Sequence, residues 1–153
     1  MRKETPATGL TRRDLFLAAA AGYGTATIGS AASASDDTVE LIKKLTGNTP
    51  TESDRLRLVM PRTFPNGYTV PLSLDIDSPM TEEDHVKYVR VVAPRNPLTE
   101  VVTFHFVPQR SQPRVSIRIR LAQPQYVTAF AELNDGTLLM TKTWVDVATN
   151  GCA

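Results

Sequence analysis

The 153-residue chain contains one cysteine, two histidines and one tryptophan, and these shortages narrow what it can do. One cysteine cannot make an internal disulfide, so the fold has to hold without one. His85 and His105 stand apart from any cluster of carboxylates or cysteines, which leaves no metal-ligand pattern. Met60, Met80 and Met140 form no Met-x-Met or His-x-x-Met grouping that would favour copper, and they read as packing residues. No serine or threonine occupies a nucleophile elbow or a triad, and no glycine-rich phosphate loop follows a strand. The expectation is a chain that is not an enzyme and carries neither cofactor nor metal.

Long hydrophobic runs are also missing, apart from a weak one near the N-terminus. There, Thr11-Arg12-Arg13-Asp14-Leu15-Phe16-Leu17 leads into Ala18 to Ala21 and a small-residue stretch ending in Ala32-Ser33-Ala34. This is the pattern of a twin-arginine export signal: Arg12 and Arg13 in the charged region, a weakly apolar centre, then small residues acceptable to a signal peptidase. Glycines at 22, 24 and 29 make the stretch too polar to hold as a bilayer span. Cleavage is expected after Ala34, which makes residues 1–34 a signal, residues 35–147 one domain and residues 148–153 a tail. Without the signal, the chain has 13 basic and 14 acidic residues. That balance disfavours nucleic acid and electrostatic membrane anchoring as binding targets, and leaves proteins and small molecules. Export by this route implies a periplasmic protein without a membrane anchor.

The periodicity of the remaining sequence predicts a short helix followed by strands. Residues 36–46 place Val39, Ile42 and Leu45 on one face, with Asp36 or Asp37 as the N-cap and Gly47 at the close. Beyond Pro50 the apolar residues recur every second position. Seven such runs are expected, at 55–60, 70–76, 86–92, 101–107, 115–121, 126–133 and 138–147. Turn formers separate them, among them Pro65-Asn66-Gly67 and Asn134-Asp135-Gly136, the latter a strong hairpin signal. Seven short antiparallel strands in about a hundred residues predict an all-β, immunoglobulin-like sandwich with a short N-terminal helix. Glu82-Glu83-Asp84 reads as a solvated turn, while Arg114, Arg118 and Arg120 line an outer face suited either to solvent or to a protein partner.

The residue that stands out chemically is Cys152, next to last in the chain. Ala148 to Ala153 has no apolar pattern to hold it, so a mobile arm is expected. Five extended steps from Val147 would carry the thiol about 15 Å outward. Asn150, Gly151 and Ala153 give the arm a narrow profile. A thiol near its reference pKa of about 8.5 is only a few per cent thiolate at neutral pH, and no base lies nearby in sequence, so activation has to come from a partner. The plain alternative is an incidental cysteine on a frayed end.

Several segments resemble the SoxY family of the thiosulfate-oxidising Sox system: Ile42-Lys43-Lys44-Leu45-Thr46-Gly47, Asn66 to Leu74, Thr103 to Pro108, Ile117 to Gln123, and the ending Gly151-Cys152. The resemblance covers nearly all of the chain after the signal. It implies a sulfur carrier that forms a heterodimer with a SoxZ-like subunit and holds its cargo on the cysteine matching Cys152. It further implies a haem cytochrome that conjugates thiosulfate, a sulfate-releasing hydrolase and, in some systems, a sulfane dehydrogenase. The family's usual ending is Gly-Gly-Cys-Gly-Gly, whereas here it is Asn150-Gly151-Cys152-Ala153. Two other readings are an immunoglobulin-like binding or structural module with an incidental cysteine, and a SoxY-like carrier serving a different periplasmic oxidation.

Overall fold

The computed structural model describes residues 33–148, with side chains from Asp37 onward. Arg12 and Arg13 of the expected signal, and Asn150, Gly151, Cys152 and Ala153 of the expected arm, lie outside the described residues.

Helix α1 spans Ser33–Thr46. Ile42 is fully buried, Val39 packs beside it, and Lys43 and Lys44 occupy the last turn, where their charge complements the helix dipole. Gly47 ends the helix with φ of 79° and donates its N–H to the Lys43 carbonyl at 2.8 Å, a left-handed close that glycine adopts without steric cost. Two details differ from the sequence expectation. The helix starts at Ser33, so Asp36 and Asp37 lie inside it instead of capping it. Leu45 is 41% exposed, and the helix instead buries Thr38 and Ile42, with Val39 partly buried beside them.

Nine strands follow among the described residues: β1 (Thr51–Glu52), β2 (Leu56–Val59), β3 (Thr63–Phe64), β4 (Val70–Ile76), β5 (Val86–Val92), β6 (Glu100–His105), β7 (Arg114–Ile119), β8 (Gln125–Leu133) and β9 (Leu138–Val147). The seven expected strands are all present. The other two, β1 and β3, are two-residue segments pairing in parallel with β9, too short to leave a periodic trace in the sequence. The larger sheet has the order β1-β9-β8-β5-β6, with β3 also on β9; the smaller has the order β2-β4-β7. The sheets pack face to face through Leu56, Val70, Leu72, Leu74 and Ile76 on one side and Val86, Val89, Val91, Val127, Ala129, Ala131 and Val145 on the other. Each fully buried leucine or valine here contributes roughly 1.5–3 kcal/mol by leaving water, which lets a chain of this size fold without disulfides.

A second, smaller core lies on the outer face of the large sheet. There Ile42 of the helix meets Val92, Phe130, Leu138 and Met140, explaining why these strands carry apolar residues on both faces. Among the described residues, no helix is long and apolar enough to cross a membrane.

Because the strands alternate in direction, the connections collect at two ends. One end receives residues 60–69, 93–99 and 120–124, and there β9 delivers its last residues toward the C-terminus; this is the exit end. The other gathers residues 53–55, 77–85, 106–113 and 134–137; this is the far end.

Candidate functional site at the exit end of the sandwich

Strand β9 alternates Leu139, Val145 and Val147 toward the core, and at its end it is clamped from the side. Asp146 donates its N–H to the Arg62 carbonyl at 2.8 Å, and Ala148 donates its N–H to the Phe64 carbonyl at 3.2 Å. The clamp comes from β3, an element that hydrophobic alternation does not reveal, and it holds the chain through Ala148, one residue past the last alternating position. Four residues further on is Cys152, outside the described part.

The neighbouring loops are tied together by Gln125, the first residue of β8, whose side chain is almost completely buried. Its Oε1 accepts the Arg95 N–H at 2.8 Å, while its Nε2 donates to Asn96 Oδ1 at 3.0 Å and to the Gln123 carbonyl at 3.2 Å. Asn96 extends the network by accepting the Ala122 N–H at 2.8 Å and donating to the Arg120 carbonyl at 2.9 Å. Arg95 Nη1 donates to the Pro124 carbonyl at 2.8 Å. Residues 65–69 join through the Leu121 N–H, which donates to the Gly67 carbonyl, and through Arg118, whose Nη1 donates to the Thr69 carbonyl. The buried amide fastens two loops and the Leu121 and Arg118 bonds add the third, giving a firm platform.

Exposed aromatic and cationic side chains are prominent on this platform. Tyr126 and Trp144 face each other across β8 and β9 in an edge-to-face pair with centroids 5.0 Å apart, on the part of the outer face that Ile42 does not cover. The Arg95 guanidinium lies 5.9 Å from the Trp144 ring centre, and Lys142 Nζ lies 6.0 Å from that of Tyr126. Tyr68, in the turn after Asn66, is the third exposed aromatic residue; all three among the described residues are at this end. The open side between β6 and β7 adds a groove of about 410 Å³, lined among others by Leu98, Val101, Val102, Ile117, Arg118 and Arg120. Leu98 is 80% exposed. Arg118 and Arg120 make no ion pair with any described residue.

Other sequence candidates fall elsewhere. His85 is half-buried at the far end, with Nδ1 3.0 Å from the Thr81 carbonyl and 3.2 Å from that of Glu82. His105 is exposed on β6, its ring 6.0 Å from that of Tyr88. Met80 and Met140 are buried packing residues, as expected, and Met60 packs partly buried against the main core. Among the described residues, no three His, Cys, Asp or Glu side chains gather to hold a metal. Another recess, about 440 Å³, is a polar cleft lined among others by Arg57, Asp75, Asp77 and Arg114 toward the far end. It is remote from β9's exit.

A hydrogen-bonded ionisable pair lies on the outer face of the large sheet, away from the exit. Tyr88 donates its hydroxyl to Glu132 Oε2 at 2.6 Å, and Lys87 Nζ reaches Oε1 at 3.2 Å. Burial, reinforced by the bond to Glu132, pushes the Tyr88 hydroxyl up to about 12. The same bond holds the Glu132 carboxyl below the usual glutamate range, against the opposing effect of burial. Neither group points to acid–base chemistry at neutral pH; the pair fastens β5 to β8.

A two-sheet sandwich hosts many unrelated functions, so the class of this protein rests on its family kinship. The family description "Sulfur oxidation protein SoxY" matches residues 42–152, and the chain belongs to the SoxY family of sulfur-oxidation carrier proteins. Among solved structures, the sulfur carrier protein SoxY from Chlorobium limicola f thiosulfatophilum is similar, with TM-score 0.60 and 26% identity over 76% of this chain and 98% of that one. Superoxide reductases from Ignicoccus hospitalis (TM-score 0.54, 12% identity, 60% of this chain and 79% of that one) and Nanoarchaeum equitans (0.52, 12%, 63% and 98%) share the fold alone. No curated protein matches.

Proposed function

We propose that the chain is a periplasmic carrier that holds thiosulfate-derived sulfur covalently on Cys152, after export by the twin-arginine signal in residues 1–34. The observation that carries this reading is the family match, which runs through to residue 152. Among its described residues the sandwich offers no second nucleophile in a built site, and β9 is clamped up to Ala148, so the end of the strand is a fixed point of attachment for the last residues.

In the loading step, the Cys152 thiol loses its proton and its sulfur bonds to the outer sulfur of thiosulfate. The two electrons released pass to a haem cytochrome, which is the oxidant. Water then attacks the terminal sulfonate group under a hydrolase, releasing sulfate and leaving a persulfide on Cys152. In systems with a sulfane dehydrogenase, that sulfur is oxidised further. Thiolate is the reactive form, so loading accelerates as the thiol ionises near or above its reference pKa of about 8.5, unless the partner supplies a base.

A SoxZ-like subunit completes the carrier as a heterodimer. The groove between β6 and β7 supports this pairing: it has an apolar floor of Val101, Val102 and Ile117, and Arg118 and Arg120 beside it. Incubating the chain with thiosulfate and the cytochrome, then measuring the mass of the C-terminal peptide, tests the attachment. An adduct confined to that peptide and lost in Cys152→Ser is the expected result; an equal adduct in the variant rejects it.

A further inference from the structure

The connections at the exit end carry Arg62, Arg95 and Arg120 and no carboxylate, whereas those at the far end carry Asp54, Asp77, Glu82, Glu83, Asp84 and Asp135 against Arg55 and Arg110. The connections at the two ends of the sandwich thus differ in the sign of their charge. Asp146 and Glu100 are the carboxylates on the strand ends near the exit, and Glu100 lies 3.7 Å from Arg90. Arg62 is exposed and its side chain makes no hydrogen bond or ion pair with a described residue, while Arg120 borders the groove given to the SoxZ-like subunit. The same end holds Tyr68, Tyr126 and Trp144 at the surface, with Arg95 against the Trp144 ring. Exposed tryptophan, tyrosine and arginine together are the side chains that most often dominate protein–protein binding energy.

Chain length adds a geometric constraint. The four steps from Ala148 to Cys152 span at most about 13–14 Å when fully extended. A protein whose reacting centre lies at the bottom of a channel of that depth has to bring its surface against the sandwich around β9's exit before the thiol reaches it. The surface it meets carries unpaired positive charge and bare aromatic rings.

We infer that the exit end is the docking surface for the proteins that act on Cys152, and that these proteins present an acidic rim around the entrance that admits the tail. Arg62 and Arg95 steer and hold that rim, and Trp144 with Tyr126 supplies the apolar anchor. The inference rests on the carrier reading of Cys152 and adds the recognition element that reading lacks. Opposite charges in register accelerate encounter and weaken with salt, so recognition at this end is salt-dependent whereas the aromatic contribution is much less so.

The test uses the full chain with its SoxZ-like partner and, as probe, the thiosulfate-conjugating haem cytochrome. Steady-state conjugation is measured for wild type, Arg62→Glu/Arg95→Glu, Trp144→Ser and the far-end control Glu82→Lys/Glu83→Lys. The Arg62→Glu/Arg95→Glu protein is expected to show a KM raised about tenfold or more at low ionic strength, the size expected when close charge pairs across an interface are reversed. Its kcat stays within about twofold, and the wild-type dependence of KM on sodium chloride is lost. Trp144→Ser raises KM about equally at low and high salt, and the far-end control behaves as wild type. A small uncharged disulfide reagent should titrate the thiol at the same rate in all four proteins, separating docking from damage to the tail. Unchanged KM in both exit-end variants, with wild type conjugated normally, overturns the inference and leaves the carrier reading standing. If wild type acquires no adduct, the carrier reading falls and takes the inference with it.

Discussion

The two ends of this sandwich are built from the same alternating strands, yet they differ in what they expose. The exit end is held by a buried amide, Gln125, and displays arginine and aromatic rings. The far end is organised by a more exposed amide, Asn134, which accepts the His85 N–H at 3.3 Å and donates to the Glu83 carbonyl, and it displays mostly carboxylates. A platform that must present a surface without shifting benefits from a desolvated network, since breaking it leaves buried groups unsatisfied. The contrast indicates where this fold has invested in order.

The largest structural effect should come from Gln125→Leu, which leaves the Arg95 N–H without its acceptor, the Gln123 carbonyl without this donor, and Asn96 Oδ1 with one donor instead of two. A loss of about 2–3 kcal/mol is expected, measured by urea denaturation. The corresponding far-end change, Asn134→Ala, should cost only about 1 kcal/mol, because water replaces part of what is lost. Equal costs would remove the distinction between the ends. Gly136→Ala, in the far-end hairpin at φ of 85°, should cost about 1 kcal/mol from backbone strain alone, since a β-carbon there meets open space. Glu82→Lys/Glu83→Lys should be smallest, within about 0.5 kcal/mol of wild type, as befits exposed surface positions.

Between the ends, the Tyr88–Glu132 pair gives a pH signature. The folded-state pKa of Glu132 is depressed, so its contribution is fully present above the ordinary glutamate value and is lost as pH falls through the folded value. The Tyr88 pKa is raised to about 12, so its contribution is present below about 10 and disappears as pH rises toward 12. Tyr88→Phe should flatten the alkaline limb of the stability profile and shrink the acid one. An alkaline limb as steep as that of wild type would show that this hydroxyl is not its cause.

Much of the fold was legible because half-buried strands alternate: Val70, Leu72, Leu74 and Ile76 face inward as the sequence pattern requires, and the Asn134-Asp135-Gly136 turn forms with Gly136 in a left-handed conformation. The two-residue strands β1 and β3 were not legible, since each depends on backbone pairing with β9 and carries no period of its own. The exposure of Leu45 could not be read either, because helical spacing does not say how wide the receiving surface is. Cys152 stands out in the sequence by its isolation and lies outside the described residues. The surface at the end of β9 was not legible, because Arg62, Arg95 and Arg120 lie 25 or more positions apart and converge only once seven strands are laid antiparallel. A signal for it was nonetheless present: alternate connections of an up-and-down sequence of strands collect at one end, so summing charge over every second loop would have found the asymmetry.

All of the proposed chemistry depends on sulfur being carried on Cys152. The most direct test is the mass of the C-terminal peptide after the chain, its SoxZ-like partner, thiosulfate and the haem cytochrome are incubated together without the hydrolase. A single thiosulfate-derived adduct on the peptide containing Cys152, absent from Cys152→Ser and removed by a reducing thiol, is the predicted result. An unmodified C-terminal peptide in the presence of demonstrably active cytochrome would contradict it.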